Sequence, residues 1–268
     1  MSKVLPAPTH PAAPGGPAAP EARPRWWCEI LVAAGFYAVY SVIRNTQGSA
    51  RISSSHALRN ARALIGLERG MGLFHEQTVQ AAFLGHRLFI EAWNLFYGTF
   101  HFVVTIVALI WLFRRFPNRY RVWRNALALT TALALVGFAA YPLMPPRLLP
   151  AAYHFVDTLK VYGSLWSFDS GTMQKISNQY AAMPSLHFAW ALWSACALVP
   201  VLRSAWARGA VVAYPVLTLF AVVVTANHYV LDAGGGAVIV GAGWLVARTL
   251  SGFSPRSGRR PVAAAGLA

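Results

Sequence analysis

Two short stretches hold the groups best suited to chemistry: Met183-Pro184-Ser185-Leu186-His187 and Asn227-His228-Tyr229-Val230-Leu231-Asp232. Each stands where a long apolar run meets a polar segment. Two imidazoles and a carboxylate can run phosphoryl transfer without a metal, one ring attacking phosphorus while the other protonates the leaving oxygen. His228 and Asp232 are four residues apart. A helical path through this turn would stack the carboxylate over the imidazole, where it accepts the Nδ1 proton and leaves Nε2 free to attack. His187 follows Pro184, which suits a helix start because its missing N–H has no role there. Ser185 and the free N–H groups of that helix end then face an anion. Ser185 and His187 are no serine-hydrolase dyad, since residues two apart on a helix diverge. The eight acidic residues are scattered, which disfavours a magnesium-dependent phosphotransferase. No metal and no other cofactor is expected.

The elements that must position these groups are membrane helices. Hydrophobic residues make up 56% of the chain and charged residues 12%, and the apolar residues come in long blocks. A bilayer core of about 30 Å needs about 20 helical residues. Six stretches approach that length: 27–44, 88–113, 125–143, 185–202, 209–228 and 232–249. Lipid offers no partner to an open strand edge, and the blocks lack the period-two alternation of a barrel. The expected class is all-α, a polytopic membrane protein with six spans. Five arginines in 114–124, Arg114, Arg115, Arg119, Arg121 and Arg124, mark the second connection as cytoplasmic. Both termini are then cytoplasmic, as the tail arginines Arg256, Arg259 and Arg260 agree. Both histidine stretches fall on the outer side of a plasma membrane. Residues 1–25 hold seven of the 17 prolines and form a disordered cytoplasmic tail. Residues 26–250 form the membrane domain, and 251–268 a basic cytoplasmic tail. The net charge of +15 is therefore mostly topological, with no aromatic-interleaved patch for nucleic acid. Cys28 and Cys196 are isolated and imply neither a disulfide nor a thiolate site.

Two further segments carry polar groups. In 54–82, Ala57, Leu64 and Met71 recur every seventh residue with Leu67 beside them, while Arg59, Arg62 and Arg69 project oppositely. This reads as an interfacial helix on the outer leaflet or as one packed over the bundle mouth, with Gly66, Gly70 and Gly72 weakening its end. In the second span Glu91, Asn94 and His101 share one stripe. They form either a structural hydrogen-bond network or, for Glu91 and Asn94, part of a head-group pocket.

Pro184-Ser185-Leu186-His187 followed by His228-Tyr229-Val230-Leu231-Asp232 resembles the second and third signatures of the type 2 phosphatidic acid phosphatase superfamily, membrane branch. The flanking Tyr141-Pro142-Leu143-Met144-Pro145-Pro146-Arg147 and Ser177-Asn178-Gln179-Tyr180-Ala181-Ala182-Met183 look more like its inositolphosphotransferase subgroup, which includes inositol-phosphorylceramide synthase. The pattern covers about 27–250 and is most similar to actinobacterial members. The resemblance implies that His228 attacks phosphorus to form a phosphohistidine, that Asp232 orients it, that His187 protonates the leaving alkoxide and that Ser185 binds phosphate oxygens. Of the cations the superfamily places after the third span, only Arg147 stands here, and Val222 replaces the arginine ahead of His228. A phosphoryl transition state needs its equatorial oxygens neutralised. Lys175, Arg44, Arg59 or Arg62 would have to substitute. His154, Asp157 and Asp169 share the outer loop as further head-group contacts.

The expected function is cleavage of a lipid phosphoester at the outer leaflet, with transfer to water or to an alcohol. Membrane lipids and a lipid phosphate are the partners, and oligomeric state is unread. The competing reading is a non-catalytic lipid-binding or transport protein whose histidines form a structural or proton-linked network.

Overall fold

The computed structural model describes residues 25–46, 53–163 and 179–251. Nine helices carry the described chain: α1 (Trp26–Thr46), α2 (Ser54–Gly70), α3 (Glu76–Phe83), α4 (Arg87–Arg115), α5 (Pro117–Ala140), α6 (Thr158–Tyr162), α7 (Leu186–Leu198), α8 (Ala205–Val224) and α9 (Val230–Leu250). One isolated parallel bridge, Leu143 to Ala181, joins two loops. Four helices, α4, α5, α8 and α9, are long and apolar enough to cross a membrane. α7 has 13 residues, about 20 Å at 1.5 Å per residue, and stops ahead of Pro200, which disfavours helix in the residue before it. Outward faces of α4 and α9 expose Phe102, Val103, Ile106, Val107, Val238 and Leu245. A water-soluble chain would bury such a surface; lipid covers it here.

Several boundaries differ from those read in the sequence. The five-arginine segment is not a loop: α4 ends at Arg115 and α5 begins at Pro117, with Phe116 alone between them. Proline at the first helical position explains the early start. Arg119 donates to the Ala197 carbonyl (3.1 Å), tying the start of α5 to the end of α7. Arg124 pairs with Glu29 at 2.5 Å, and the Tyr120 hydroxyl donates to the same carboxylate, fastening α1 to α5. The fifth apolar stretch, expected to remain helical to residue 228, leaves the helix after Val224. Ala226 takes a left-handed conformation (φ 53°), and the N–H groups of Asn227 and His228 both return to the Val222 carbonyl. That closes the orphan carbonyls of a helix end.

The 54–82 segment also splits. α2 and α3 are separate helices, with Gly72 at φ 69° in the elbow between them. Ala57, Ala61, Leu64 and Ile65 are buried against Leu143, Met144, Leu149, Ala182 and Tyr229, while Arg59, Arg62 and Arg69 face outward as expected. Leu67 and Met71 are exposed, each 56% accessible, so the expected apolar stripe shifts by part of a turn.

The second core lies between α4, α5, α7 and α9, around Leu112, Trp123, Trp193 and Val240. Glycines let α9 approach its neighbours. A Cβ on Gly243 would lie 3.0 Å from the Ala126 carbonyl oxygen of α5, and one on Gly236 would lie 2.7 Å from the Ser185 carbonyl oxygen at the head of α7. The helices alternate in direction, so the ends carrying Arg147, His187 and His228 gather at one end of the bundle. Arg114, Arg115, Arg119, Arg121, Arg124, Arg203, Arg208 and Arg248 gather at the other.

Candidate active site

His228 occupies the break between α8 and α9, one residue before the N-cap Tyr229. The contact with Asp232 expected from a continuous helix is made instead across this turn, with Nδ1 3.3 Å from Asp232 Oδ2. Nδ1 also lies 2.9 Å from the Ala182 carbonyl oxygen. A carbonyl can only accept, so Nδ1 carries the proton and Nε2 presents its lone pair. The ring is 5% exposed and Asp232 is fully buried. Asp232 Oδ2 also accepts the Tyr229 N–H at 2.9 Å, and the Asp232 carbonyl accepts the Ser185 N–H at 2.9 Å. The two signature segments are thus joined directly.

His187, the second residue of α7, stands with its ring centroid 5.7 Å from that of His228. Its other neighbours come from α4: Tyr97 stacks on it at 4.1 Å, and His101 meets it edge-on at 4.3 Å. His101 is itself held by its Nδ1 at the Tyr97 carbonyl, 3.0 Å away. A narrow gap with room for about one water molecule lies beside these rings, lined also by Phe96, Tyr214, Thr218, Ala221 and Val222. Ser185 caps α7, its Oγ accepting the Phe188 N–H at 3.4 Å. That bond occupies a lone pair and leaves the hydroxyl proton free to donate.

Arg147 follows α5 in a short 3₁₀ turn, and its N–H donates to the Ala226 carbonyl (2.8 Å), two residues before His228. Its Nη1 pairs with Asp157 Oδ2 at 2.9 Å, while its Nε is buried without a partner. Asp157 therefore holds the guanidinium in place. Both groups are within electrostatic range of Tyr97, the ring stacked on His187. His154 is exposed, as are Arg59 and Arg62 on the outer face of α2. Lys175 and Asp169 lie outside the described residues, as does the side chain of Arg44.

The α4 stripe divides among three roles. Glu91 forms an exposed ion pair with Arg87 (2.7 Å). Asn94 is buried and bonds the Thr158 and Gly163 carbonyls and the Thr158 hydroxyl, pinning α6. His101 alone reaches the site. Tyr97 is missed by the sequence reading, although it lies three residues from Asn94 and four from His101 on the same face. Glu68 and Glu76 are missed as well. Glu68 falls on the buried face with Ala61, Leu64 and Ile65, a position that marks it; Glu76, beyond the glycine elbow, carries no such mark.

A family model described as the PAP2 superfamily matches residues 62–246. The chain belongs to the PAP2 superfamily. No curated protein and no solved structure matches it. The matched PAP2 region takes in α3 to α8 whole, about half of α2, most of α9, and Arg147, Ser185, His187, His228 and Asp232. PAP2 membership and the four long apolar helices make this an integral membrane protein of a phosphatase-type enzyme family.

Proposed function

We propose that the protein is a metal-independent lipid phosphatase or phosphotransferase working through a phosphohistidine on His228. The observation that carries this is the His228 ring: its Nδ1 proton is held by Ala182 and Asp232, and its free Nε2 shares a site with His187. Nε2 attacks phosphorus and the bond from phosphorus to the leaving oxygen breaks, with His187 delivering a proton to that oxygen. Water or an alcohol then attacks the phosphohistidine, gives its proton to His187, and releases Nε2. Asp232 stabilises the positive charge that His228 gains, and the Arg147 guanidinium and the Ser185 hydroxyl neutralise phosphate oxygens. Lys175 is a further phosphate ligand in this proposal.

The gap beside His187 has room for about one water molecule, too little to enclose a lipid, so the aromatic and aliphatic side chains along it support a hydrocarbon-bearing substrate that lies against the bundle from outside. The lipid chain then extends beyond it into the membrane. The clustering of arginines at the opposite end of the bundle supports a six-span topology in which α1 and α7 also cross, with both termini cytoplasmic and the site at the outer leaflet. With Val222 where the phosphatase signature has arginine, an inositolphosphotransferase-type acceptor is the alternative to water.

The test is phosphate release from phosphatidic acid and polyprenyl phosphates by purified protein in detergent with EDTA. His228→Ala and His187→Ala each abolish turnover, by about 10²–10⁴-fold for the acid. Equal activity in the double variant would leave the non-catalytic lipid-binding or transport reading in its place. Product analysis with and without inositol or a lipid alcohol separates hydrolysis from transfer.

A further inference from the structure

Three successive backbone N–H groups open α9, and a different carboxylate takes each. Tyr229 N–H donates to Asp232 Oδ2 (2.9 Å), Val230 N–H to Glu76 Oε1 (3.0 Å) and Leu231 N–H to Glu68 Oε1 (2.8 Å). Such donors have no partner within their own helix and are ordinarily met by one capping side chain and water. Here the cap is assembled from three helices. Glu68 belongs to α2 and Glu76 to α3, and they are 0% and 1% exposed. Neither forms an ion pair among the described residues, and each leaves its Oε2 without a hydrogen-bond partner. Burial at this depth without a cation demands a return, and the two bonds to α9 supply it.

We propose that Glu68 and Glu76 are positioning residues for His228: the α2–α3 elbow grips the first turn of α9 and so sets the direction from which Nε2 meets phosphorus. The role rests on the phosphohistidine reading above. His228 immediately precedes the first gripped N–H, and Asp232, which orients its ring, lies in the same turn. If the grip loosens, both ends of the His228–Asp232 contact move. The helix dipole favours negative charge at this end, yet three carboxylates within one turn cannot all ionise without strong repulsion. Glu76, Asp232 and Tyr229 lie within electrostatic range of Glu68, with Tyr153 beside Tyr229 and Tyr141 beside Asp232; Arg69, next on its own helix, turns to the Phe74 ring. Burial, with the neighbouring Glu76 and Asp232 charges, pushes the Glu68 carboxyl up to about 8. Near neutral pH Glu68 keeps its proton, which lowers the repulsion among the carboxylates at this turn. Above that range the pair repels and the turn loosens.

The experiment uses the full chain in detergent with phosphatidic acid as the probe, comparing Glu68→Ala, Glu76→Ala and the matching Gln variants with His228→Ala. The Ala variants lose kcat by about 10–100-fold with KM within about threefold, since misplacing a reacting group by up to about 1 Å costs that much. Gln keeps an acceptor oxygen and restores most of the turnover. Wild-type kcat falls as pH rises through about 8, and in Glu68→Gln, which has no proton to lose, that fall is absent. Ala variants with wild-type kcat beside an inactive His228→Ala would overturn the positioning role and leave the phosphohistidine standing. An active His228→Ala would overturn both. Should the Ala variants fail to fold, the pH profile of Glu68→Gln decides, and an alkaline fall unchanged from wild type overturns the shared grip.

Discussion

Adding a single methyl group at Gly236 tests whether the spacing of the two histidines is set by backbone contact between α7 and α9. The ideal Cβ would sit 2.7 Å from the Ser185 carbonyl oxygen and 3.4 Å from the Ala189 nitrogen. Both are backbone atoms of α7, so no rotamer change relieves the clash. The gap must open to at least 3.0 Å, and to 3.4 Å for ordinary contact. Ser185 is two residues from His187, and Gly236 is one turn beyond Asp232. The separation therefore acts on the 2.9 Å bond from Ser185 N–H to the Asp232 carbonyl and on the 5.7 Å ring spacing. Overpacking of this kind costs about 1–3 kcal/mol, and a shift of several tenths of an ångström at the reacting groups lowers kcat by about 10–100-fold. Two other glycines of α9 serve as comparisons. Gly234→Ala meets nothing within 4 Å and leaves stability within about 1 kcal/mol. Gly243→Ala meets the Ala126 carbonyl of α5 at 3.0 Å, about 10 Å along the helix from Gly236 at 1.5 Å per residue. It destabilises the bundle with a smaller loss of kcat. The assays are phosphate release from phosphatidic acid and thermal unfolding in detergent. Full activity in Gly236→Ala, or an equal loss in Gly234→Ala, would refute the argument that close packing aligns the rings.

Asp232→Asn retains an oxygen for the Tyr229 N–H but removes the charge beside the His228 imidazolium, and kcat falls on the order of 10²–10⁴-fold with little loss of thermal stability. Arg147→Gln removes a cation and leaves Asp157 unpaired; KM for phosphatidic acid rises, and inorganic phosphate inhibits more weakly, both read in steady-state kinetics. At the other end of the molecule, Glu29→Ala breaks the contacts with Arg124 and Tyr120 that fasten α1 to α5. Losing hydrogen bonds to a charged group costs about 1.5–3 kcal/mol, seen as a lower unfolding temperature while kcat of the folded enzyme holds.

The long apolar blocks in the sequence point directly to α4, α5, α8 and α9, because a helix that meets lipid shows its length as uninterrupted hydrophobicity. Helix ends are harder to read. α8 stops four residues before its expected end because Ala226 adopts a left-handed turn, and an alanine gives no warning of that. The four-residue spacing of His228 and Asp232 does signal their contact, though by a turn rather than a helix. His101 is visible as a polar group in a span, but its edge-on contact with His187 depends on how α4 packs against α7. Arg147 is legible as a cation near the site; its partner Asp157 is settled by the 3₁₀ turns between them. Glu76 is the hardest to see, since an isolated glutamate reads as solvent-facing until the N–H it meets, more than 150 residues away, comes into view; Glu68 is marked by its place on the apolar face of α2, though its partner on α9 is not.

That distance in sequence has a consequence for biogenesis. A chain made from its N-terminus presents Glu68 and Glu76 long before Val230 and Leu231 exist, since 154 residues separate Glu76 from Val230 and 163 separate Glu68 from Leu231. Contacts of such span form last, because the ends must meet before the bond offers any gain. The α2–α3 elbow therefore stays open while the earlier helices insert. Only when α9 arrives does the elbow have N–H groups to close upon, and the same event brings His228 to His187. The contact between the two histidines therefore waits for α9, and a chain lacking α9 leaves Glu68 and Glu76 without the N–H groups that meet them.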